Sequence, residues 1–262
     1  MAAVHFKTTV RGQLRRIGRM LHRDVLAAVG GSRSLLPAAP ISRATIAAHY
    51  VRGTGLEIGA LHRPLPVPPG VHVQFVDMAP ADVLRARFPE VTHVTPPDIV
   101  DDGETLATVA DGSQDFVIAN HFLEHTEDPF STLGNFLRVL KPGGIIFMAI
   151  PDKRWTFDAP RPVTDLAHLL RDYREGPAVS RAAHYDEWLR IIDGYSGDVL
   201  AERHAAFLRD RVNIHFHVWT IDEMAEMFTA CRRDLGMNLE VKLCFADPPN
   251  LEVIWILKAE KA

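Results

Sequence analysis

The chain of 262 residues contains only two cysteines, Cys231 and Cys244, and neither belongs to a CxxC motif. This scarcity excludes a disulfide-built scaffold and a zinc site built from cysteines. No apolar run approaches the ~20 residues that a membrane-spanning helix needs. The sequence also opens without the pattern of a signal peptide, so we expect a cytoplasmic protein.

Neither sign of charge is in large excess. The chain has 29 Lys and Arg residues and 33 Asp and Glu residues, which gives a net charge of -4. A mildly acidic chain gives no reason to expect a nucleic-acid partner. Hydrophobic residues make up 47% and charged residues 24%, which excludes disordered and fibrous classes. The length suits one large domain or one domain with an insertion.

Positive charge is concentrated in residues 1–35, where seven Lys and Arg residues against one Asp give a net charge of +6. The apolar residues of this region recur at helical spacing: Val10, Leu14, Ile17, Leu21 and Val25. The pattern predicts a basic amphipathic N-terminal helix. We favour a helix that packs on its own domain over one that contacts a membrane surface. A transit peptide is a third interpretation.

Strand and helix patterns alternate along the rest of the chain. We predict strands at 56–59, 73–77, 91–94, 115–120 and 145–150, and helices at 41–50, 80–88, 129–140 and 220–235. The runs 239–246 and 251–257 predict a closing antiparallel hairpin. Alternating strands and helices indicate a parallel sheet. We therefore expect an α/β, Rossmann-like sheet of seven strands, mostly parallel, with a terminal antiparallel hairpin.

Glycine or polar residues follow the first four predicted strands. They are Gly59, Asp77, the pair Asp102 and Gly103, and Asn120. Ligands of open α/β sheets bind outside the carboxyl ends of the strands. Asp77 lies 18 residues beyond Gly59, near the spacing at which a carboxylate accepts hydrogen bonds from ribose hydroxyls.

The motifs at these strand ends resemble those of class I S-adenosylmethionine-dependent methyltransferases. LEIGALHRP is similar to the family's acidic-x-Gly-x-Gly-x-Gly motif, VQFVDM to its second strand, and DDGETL to its Asp-Ala-Glu-x-Leu loop. The most specific part is SQDFVIANHFLEHTEDP with LRVLKPGG, which resembles the fourth- and fifth-strand motifs. The resemblance covers about residues 54–150 and implies an EC 2.1.1 enzyme with S-adenosyl-L-methionine as cofactor. The family's sheet also ends in an antiparallel seventh strand.

The resemblance also implies the cofactor contacts. It places Asp102 at the adenine amine and Gly103 at the adenine ring. The full predicted set is Glu57, Gly59, Ala60, Arg63, Asp77, Met78, Asp102, Gly103 and Asn120. Arg63 is open to two interpretations, a partner for the cofactor carboxylate and a surface salt bridge.

The first motif departs from the family where Leu61 and Arg63 replace its second and third glycines. Four prolines between residues 64 and 69 prohibit the usual first helix, so we expect an extended loop there. The missing second glycine weighs against a nicotinamide cofactor, because a pyrophosphate needs close backbone approach.

We divide the chain into a basic helix and linker (1–40), a cofactor-binding core (41–150), a helical lid inserted after the fifth strand (151–219), and a C-terminal helix and hairpin (220–262). We call residues 151–219 the inserted segment. It is rich in polar groups, and helical spacing places Thr164, His168 and Asp172 on one face. Such a lid suits a small polar acceptor.

The function that we expect is O-methylation of a sugar or glycoconjugate. The alternatives are N-methylation of a small molecule and a non-catalytic, methyltransferase-like partner protein. A hydroxyl acceptor needs a proton acceptor, and a neutral histidine suits that task near pH 7. His121, which follows Asn120, and His168, on a polar helical face, are our predicted bases.

His215 and His217 alternate, so we expect both imidazoles on one face of a strand. Two histidines can bind a metal together with a carboxylate. No third ligand stands at a telling spacing, so we expect no metal site.

Overall fold

A computed structural model describes residues 41–260, so the basic helix predicted within residues 1–40 lies outside the described residues. The strands of the described part are β1 (Thr54–Ile58), β2 (His72–Asp77), β3 (Ile99–Val100), β4 (Gln114–Asn120), β5 (Leu140–Pro151), β6 (Leu239–Asp247) and β7 (Glu252–Ala259). They form one seven-stranded sheet in the order β3-β2-β1-β4-β5-β7-β6.

The strand directions define the fold class. The pairs β1–β2, β1–β4, β2–β3 and β4–β5 are parallel. β7 runs antiparallel to both β5 and β6. The prediction of a Rossmann-like, mostly parallel sheet that ends in an antiparallel hairpin is confirmed.

Seven α-helices accompany the sheet in residues 41–260. They are α1 (Arg43–Tyr50), α2 (Ala81–Arg87), α3 (Pro129–Val139), α4 (Leu166–Glu175), α5 (Ala178–Ile191), α6 (Gly197–Asp210) and α7 (Ile221–Arg233). Asp128 caps α3 by accepting the Ser131 N–H at 3.0 Å, and Pro129 occupies the first turn. Thr220 and Glu223 form the capping box that starts α7. No helix of this part of the chain is long and apolar enough to cross a bilayer.

The central strands are covered on both faces, as a parallel sheet requires. Val117 and Ala119 of β4 pack into one hydrophobic cluster, while Phe116 and Ile118 pack into another. The inserted segment contributes a third, smaller cluster, which contains Tyr185, Leu189, Leu200, Phe207, Ile214 and Phe216.

Three local predictions have clear outcomes. Residues 59–71 contain no helix, which confirms the loop expected from the prolines. The strand predicted at 91–94 is wrong: these residues form a loop, in which Val91 donates to the Phe88 carbonyl, and β3 follows at Ile99–Val100. Residues 212–218 are not a strand either, so the expected common strand face for His215 and His217 is also wrong.

Candidate active site

The carboxyl ends of β2, β1 and β4 lie side by side at one edge of the sheet. Gly59 follows β1 with a φ of +64°, a backbone conformation that residues other than glycine rarely adopt. A Cβ built on Gly59 would meet no atom of the described residues within 4 Å. The backbone turns away here and leaves open space beside the strand end, where a ligand can approach closely.

Asn120 closes β4 at the same edge. Both its side-chain atoms, Oδ1 and Nδ2, are buried and have no hydrogen-bond partner among residues 41–260. A buried amide without a partner costs free energy, and nearly all such groups in proteins are paired. Asn120 is therefore positioned to pair with a bound ligand.

Asp77 ends β2, and its Oδ1 accepts the Met78 N–H at 2.8 Å. Burial raises the pKa of this carboxyl, although the Met78 N–H and Arg87 oppose the rise. Oδ2 is left to accept a hydrogen bond from a ligand hydroxyl. The Met78 side chain beside it is 56% exposed.

The loop after β3 crosses the ends of β1 and β4. A Cβ on Gly103 would lie 2.5 Å from Ile58 and 2.8 Å from Phe122, so only glycine fits there. Asp102 is exposed beside it, and its Oδ1 accepts the Glu104 N–H at 2.9 Å. The structure thus brings the predicted residues Asp102 and Gly103 to the strand ends that carry Gly59 and Asn120.

Glu57 is placed differently from the other predicted contacts. It is only 2% exposed, and its Oε1 accepts the Leu65 N–H at 2.9 Å. Burial raises the pKa of Glu57 to about 7. The carboxylate therefore anchors the proline-rich loop. That loop exposes Arg63, whose N–H donates to the Ala60 carbonyl at 2.8 Å.

These residues suit S-adenosylmethionine. Asp77 offers a carboxylate for ribose hydroxyls, Asn120 an unpaired amide, and Arg63 a cation for the cofactor carboxylate. Gly59 supplies the open space. The contacts themselves stay predictions.

His121, a predicted base, lies between two acidic side chains. Its Nε2 is 2.8 Å from Glu252, and its Nδ1 is 3.5 Å from Glu124. Burial would lower the pKa of His121, but the two carboxylates outweigh it and raise the pKa to about 9. Glu252 also binds Arg43. The catalytic role of His121 stays a prediction, and it requires that one of these ion pairs opens.

His168, the other predicted base, lies on α4 among further histidines. Its Nε2 is 3.0 Å from the Nε2 of His184 and 3.0 Å from Asp172. The predicted helical spacing is right for His168 and Asp172 but wrong for Thr164, because α4 begins only at Leu166. Its role as a base stays a prediction.

A further acid–histidine pair, His215 with Asp158, was not predicted. The Nδ1 of His215 is 2.7 Å from Oδ2 of Asp158, and Arg161 donates to the other oxygen of Asp158 at 2.9 Å. The His215 ring packs edge-on against His125, with centroids 4.6 Å apart. No sequence spacing indicated this pair, because 57 positions separate its members.

Glu124 connects this pair to the sheet edge. It is 1% exposed, and although burial raises its pKa, His121, His125 and His215 hold the pKa below the ordinary value. Polar groups therefore continue from the residue after Asn120 into the inserted segment.

Comparison with known proteins identifies the family. Residues 35–231, well over half of the chain, match the family model described as a methyltransferase domain. Comparison with curated protein sequences finds no match.

Comparison with solved structures gives matches of low similarity. A methyltransferase dependent on S-adenosylmethionine from Methanosarcina mazei has 16% identity and a TM-score of 0.44, over 82% of this chain and 96% of its own. One from Aquifex aeolicus has 9% identity and a TM-score of 0.42, over 82% of this chain and 85% of its own. At these low values the family match is the basis of the assignment. The chain belongs to the methyltransferase-domain family and is a class I S-adenosylmethionine-dependent methyltransferase.

Proposed function

We propose that the enzyme methylates a hydroxyl group of a small polar acceptor, such as a sugar or glycoconjugate, beneath the inserted segment. The observation that carries this proposal is the His215–Asp158 pair. Asp158 accepts from Nδ1 of His215 at 2.7 Å, so Nε2 is left as the atom that can take a proton. An alcohol needs such a base during methyl transfer, whereas a neutral amine attacks without one.

Each group then has one task. When bound, S-adenosylmethionine would supply a sulfonium methyl group to the acceptor oxygen and would leave as the neutral thioether. Nε2 of His215 takes the hydroxyl proton as the O–CH₃ bond forms. Asp158 stabilises the imidazolium that results, as the carboxylate of a His–Asp pair does. Arg161, which is 2% exposed, fixes Asp158 through a bond of 2.9 Å.

The cofactor residues complete the proposal. Asp77 binds the ribose, Asp102 and Gly103 face the adenine, and Asn120 and Arg63 contact the amino-acid end. The backbone of Gly59, Ala60 and Met78 lines the site. Glu57 holds the proline-rich loop in place. The support is their shared edge of the sheet and the unpaired amide of Asn120.

A methyl-transfer assay against a library of sugars, other alcohols and amines tests the function. We expect turnover on hydroxylated acceptors. Preferred turnover on amines would favour N-methylation. Cofactor binding without any turnover would favour the non-catalytic alternative.

Calorimetry with S-adenosylmethionine and NAD is the matched binding control. We expect binding of the first ligand only, because the first motif lacks the glycine that a pyrophosphate needs. Tight NAD binding would contradict the cofactor assignment itself.

A further inference from the structure

Three imidazoles from separate parts of the inserted segment meet at one point. His168 lies on α4, His184 on α5 and His217 between α6 and α7. One ring nitrogen from each lies within 4.8 Å of the others. We call these residues the triple-histidine cluster. Its geometry suits a common central ligand, because the rings converge from three directions, with interplanar angles of 70°, 77° and 84°.

The strongest sign of a ligand is the free nitrogen of His217. This residue is fully buried, and its Nε2 is 3.2 Å from the Glu127 carbonyl oxygen. A carbonyl only accepts, so Nε2 carries the proton and Nδ1 carries a lone pair. Nδ1 is buried and has no hydrogen-bond partner among the described residues. An orphaned imidazole lone pair of this kind is the donor that a metal ion binds, with the backbone carbonyl fixing the tautomer.

A carboxylate borders this cluster on the side of His168 and His184. Oδ2 of Asp172 is 3.0 Å from Nε2 of His168 and 4.0 Å from Nε2 of His184. Asp172 is fully buried, and Ser180 donates to Oδ2 at 2.7 Å. Its Oδ1 has no hydrogen-bond partner in the described part of the chain, although Nε of Arg171 lies 3.9 Å away. A buried carboxylate with an unused oxygen is costly unless it is paired or coordinates a metal.

The local charges allow a cation. Metal binding needs all three imidazoles in the neutral form and releases any proton that they hold. Two cations among the described residues act on these rings. Arg161 forms ion pairs with Asp158 and Glu187, and Arg171 lies 3.9 Å from Asp172.

We propose that His168, His184 and His217, together with Asp172, bind one zinc ion. Three imidazole nitrogens and one carboxylate oxygen form the four-coordinate set that zinc prefers. The ion would tie α4, α5 and the 212–218 segment to the loop after β4, because His217 is already bonded to Glu127 there. Sequence spacing predicts no metal site here, since the three histidines stand 16 and 33 positions apart.

Metal analysis of protein purified without a histidine tag tests the proposal. We expect about one zinc per chain after incubation with zinc chloride and desalting. His168→Gln, at a partly exposed position, should lower zinc occupancy at least tenfold while its far-UV circular dichroism stays native. His184→Ala should do the same. Cobalt in place of zinc should give the visible absorption of a tetrahedral site.

His125→Ala is the matched control, because His125 belongs to the neighbouring group with Glu124 and His215. It should retain its zinc. Stability is an independent readout: a zinc chelator should lower the Tm of the wild type by about 5 °C or more and leave that of His168→Gln unchanged.

Three results would overturn the proposal. The first is a wild-type protein that takes up no zinc. The second is zinc lost from His125→Ala and retained by His168→Gln, and the third is a different metal in the triple-histidine cluster.

Discussion

The carboxyl edge of the sheet and the inserted segment differ in whether their polar side chains have hydrogen-bond partners. At the edge, the amide of Asn120 is unpaired and the side chain of Arg63 is exposed. In the inserted segment, Arg161 is buried and donates to Asp158 and Glu187. Unpaired groups mark where a ligand completes the structure, whereas closed networks fix geometry. His217 and Asp172 are exceptions within the inserted segment, because Nδ1 of the first and Oδ1 of the second have no hydrogen-bond partner among residues 41–260.

The largest effect should come from the closed network. His215→Gln removes the proposed proton acceptor, so turnover on a hydroxylated acceptor should fall by ~10²–10⁴ while cofactor affinity is unchanged. Steady-state kinetics and calorimetry measure the two quantities. His204→Gln, at a histidine of α6 that bonds the Ala182 carbonyl, is the control and should keep its activity.

The same assay compares the bases predicted from sequence. If His121→Gln loses more turnover than His215→Gln, the proton is taken at His121 and the role proposed for His215 is wrong. His168→Gln is compared with His184→Ala, which should lose the same zinc, so a larger loss of turnover in His168→Gln than in both His184→Ala and His215→Gln would assign the proton to His168.

The next effect should appear at the open edge. Asp77→Asn removes a charged acceptor from the ribose, which should weaken S-adenosylmethionine binding by about 1.5–3 kcal/mol. Titration calorimetry measures the change. Asp111→Asn, at a carboxylate that is 75% exposed and paired with Arg138, should leave affinity unchanged. An unaltered dissociation constant for Asp77→Asn would remove this residue from the site.

The smallest effect is a dependence of stability on pH that comes from His121. The pKa of His121 rises from 6.5 to about 9 in the folded protein, so its contribution is fully present below pH 6.5 and is lost as the pH rises through 9. The side chain is 40% exposed, so solvent screening reduces the contribution to roughly 1 kcal/mol. Denaturant unfolding at several pH values measures it. His121→Gln should flatten the decline between these pH values, and an equal decline in both proteins would contradict the ion pairs.

Regular patterns in the sequence predicted most of the fold. The closing hairpin and the helix after Asp128 follow from alternation and capping, and the loop after Gly59 follows from its prolines. The position of the third strand was not predicted, because Ile99–Val100 is too short to show an alternating pattern. A run with strand-like composition at 91–94 turned out to be a loop.

The site was predictable only where it follows strand ends. Gly59, Asp77 and Asn120 share an edge because parallel strands end together. The partners of His215 and His217 come from other elements: Asp158 precedes α4, and His184 lies on α5. Contacts between distant elements depend on how the helices pack. The spacing of residues within one helix or strand does not predict this packing.

Strand order gives the hairpin a role in assembly. β7 lies between β5 and β6, so β6 reaches the sheet only through β7. Until β7 docks, β5 presents an open hydrogen-bonding edge, which is a template for aggregation. Glu252, the first residue of β7, brings the carboxylate that holds Arg43 and His121. The sheet closes and the ion pairs of Glu252 with Arg43 and His121 form in the same step. A folding intermediate without β7 would therefore lack the native environment of His121.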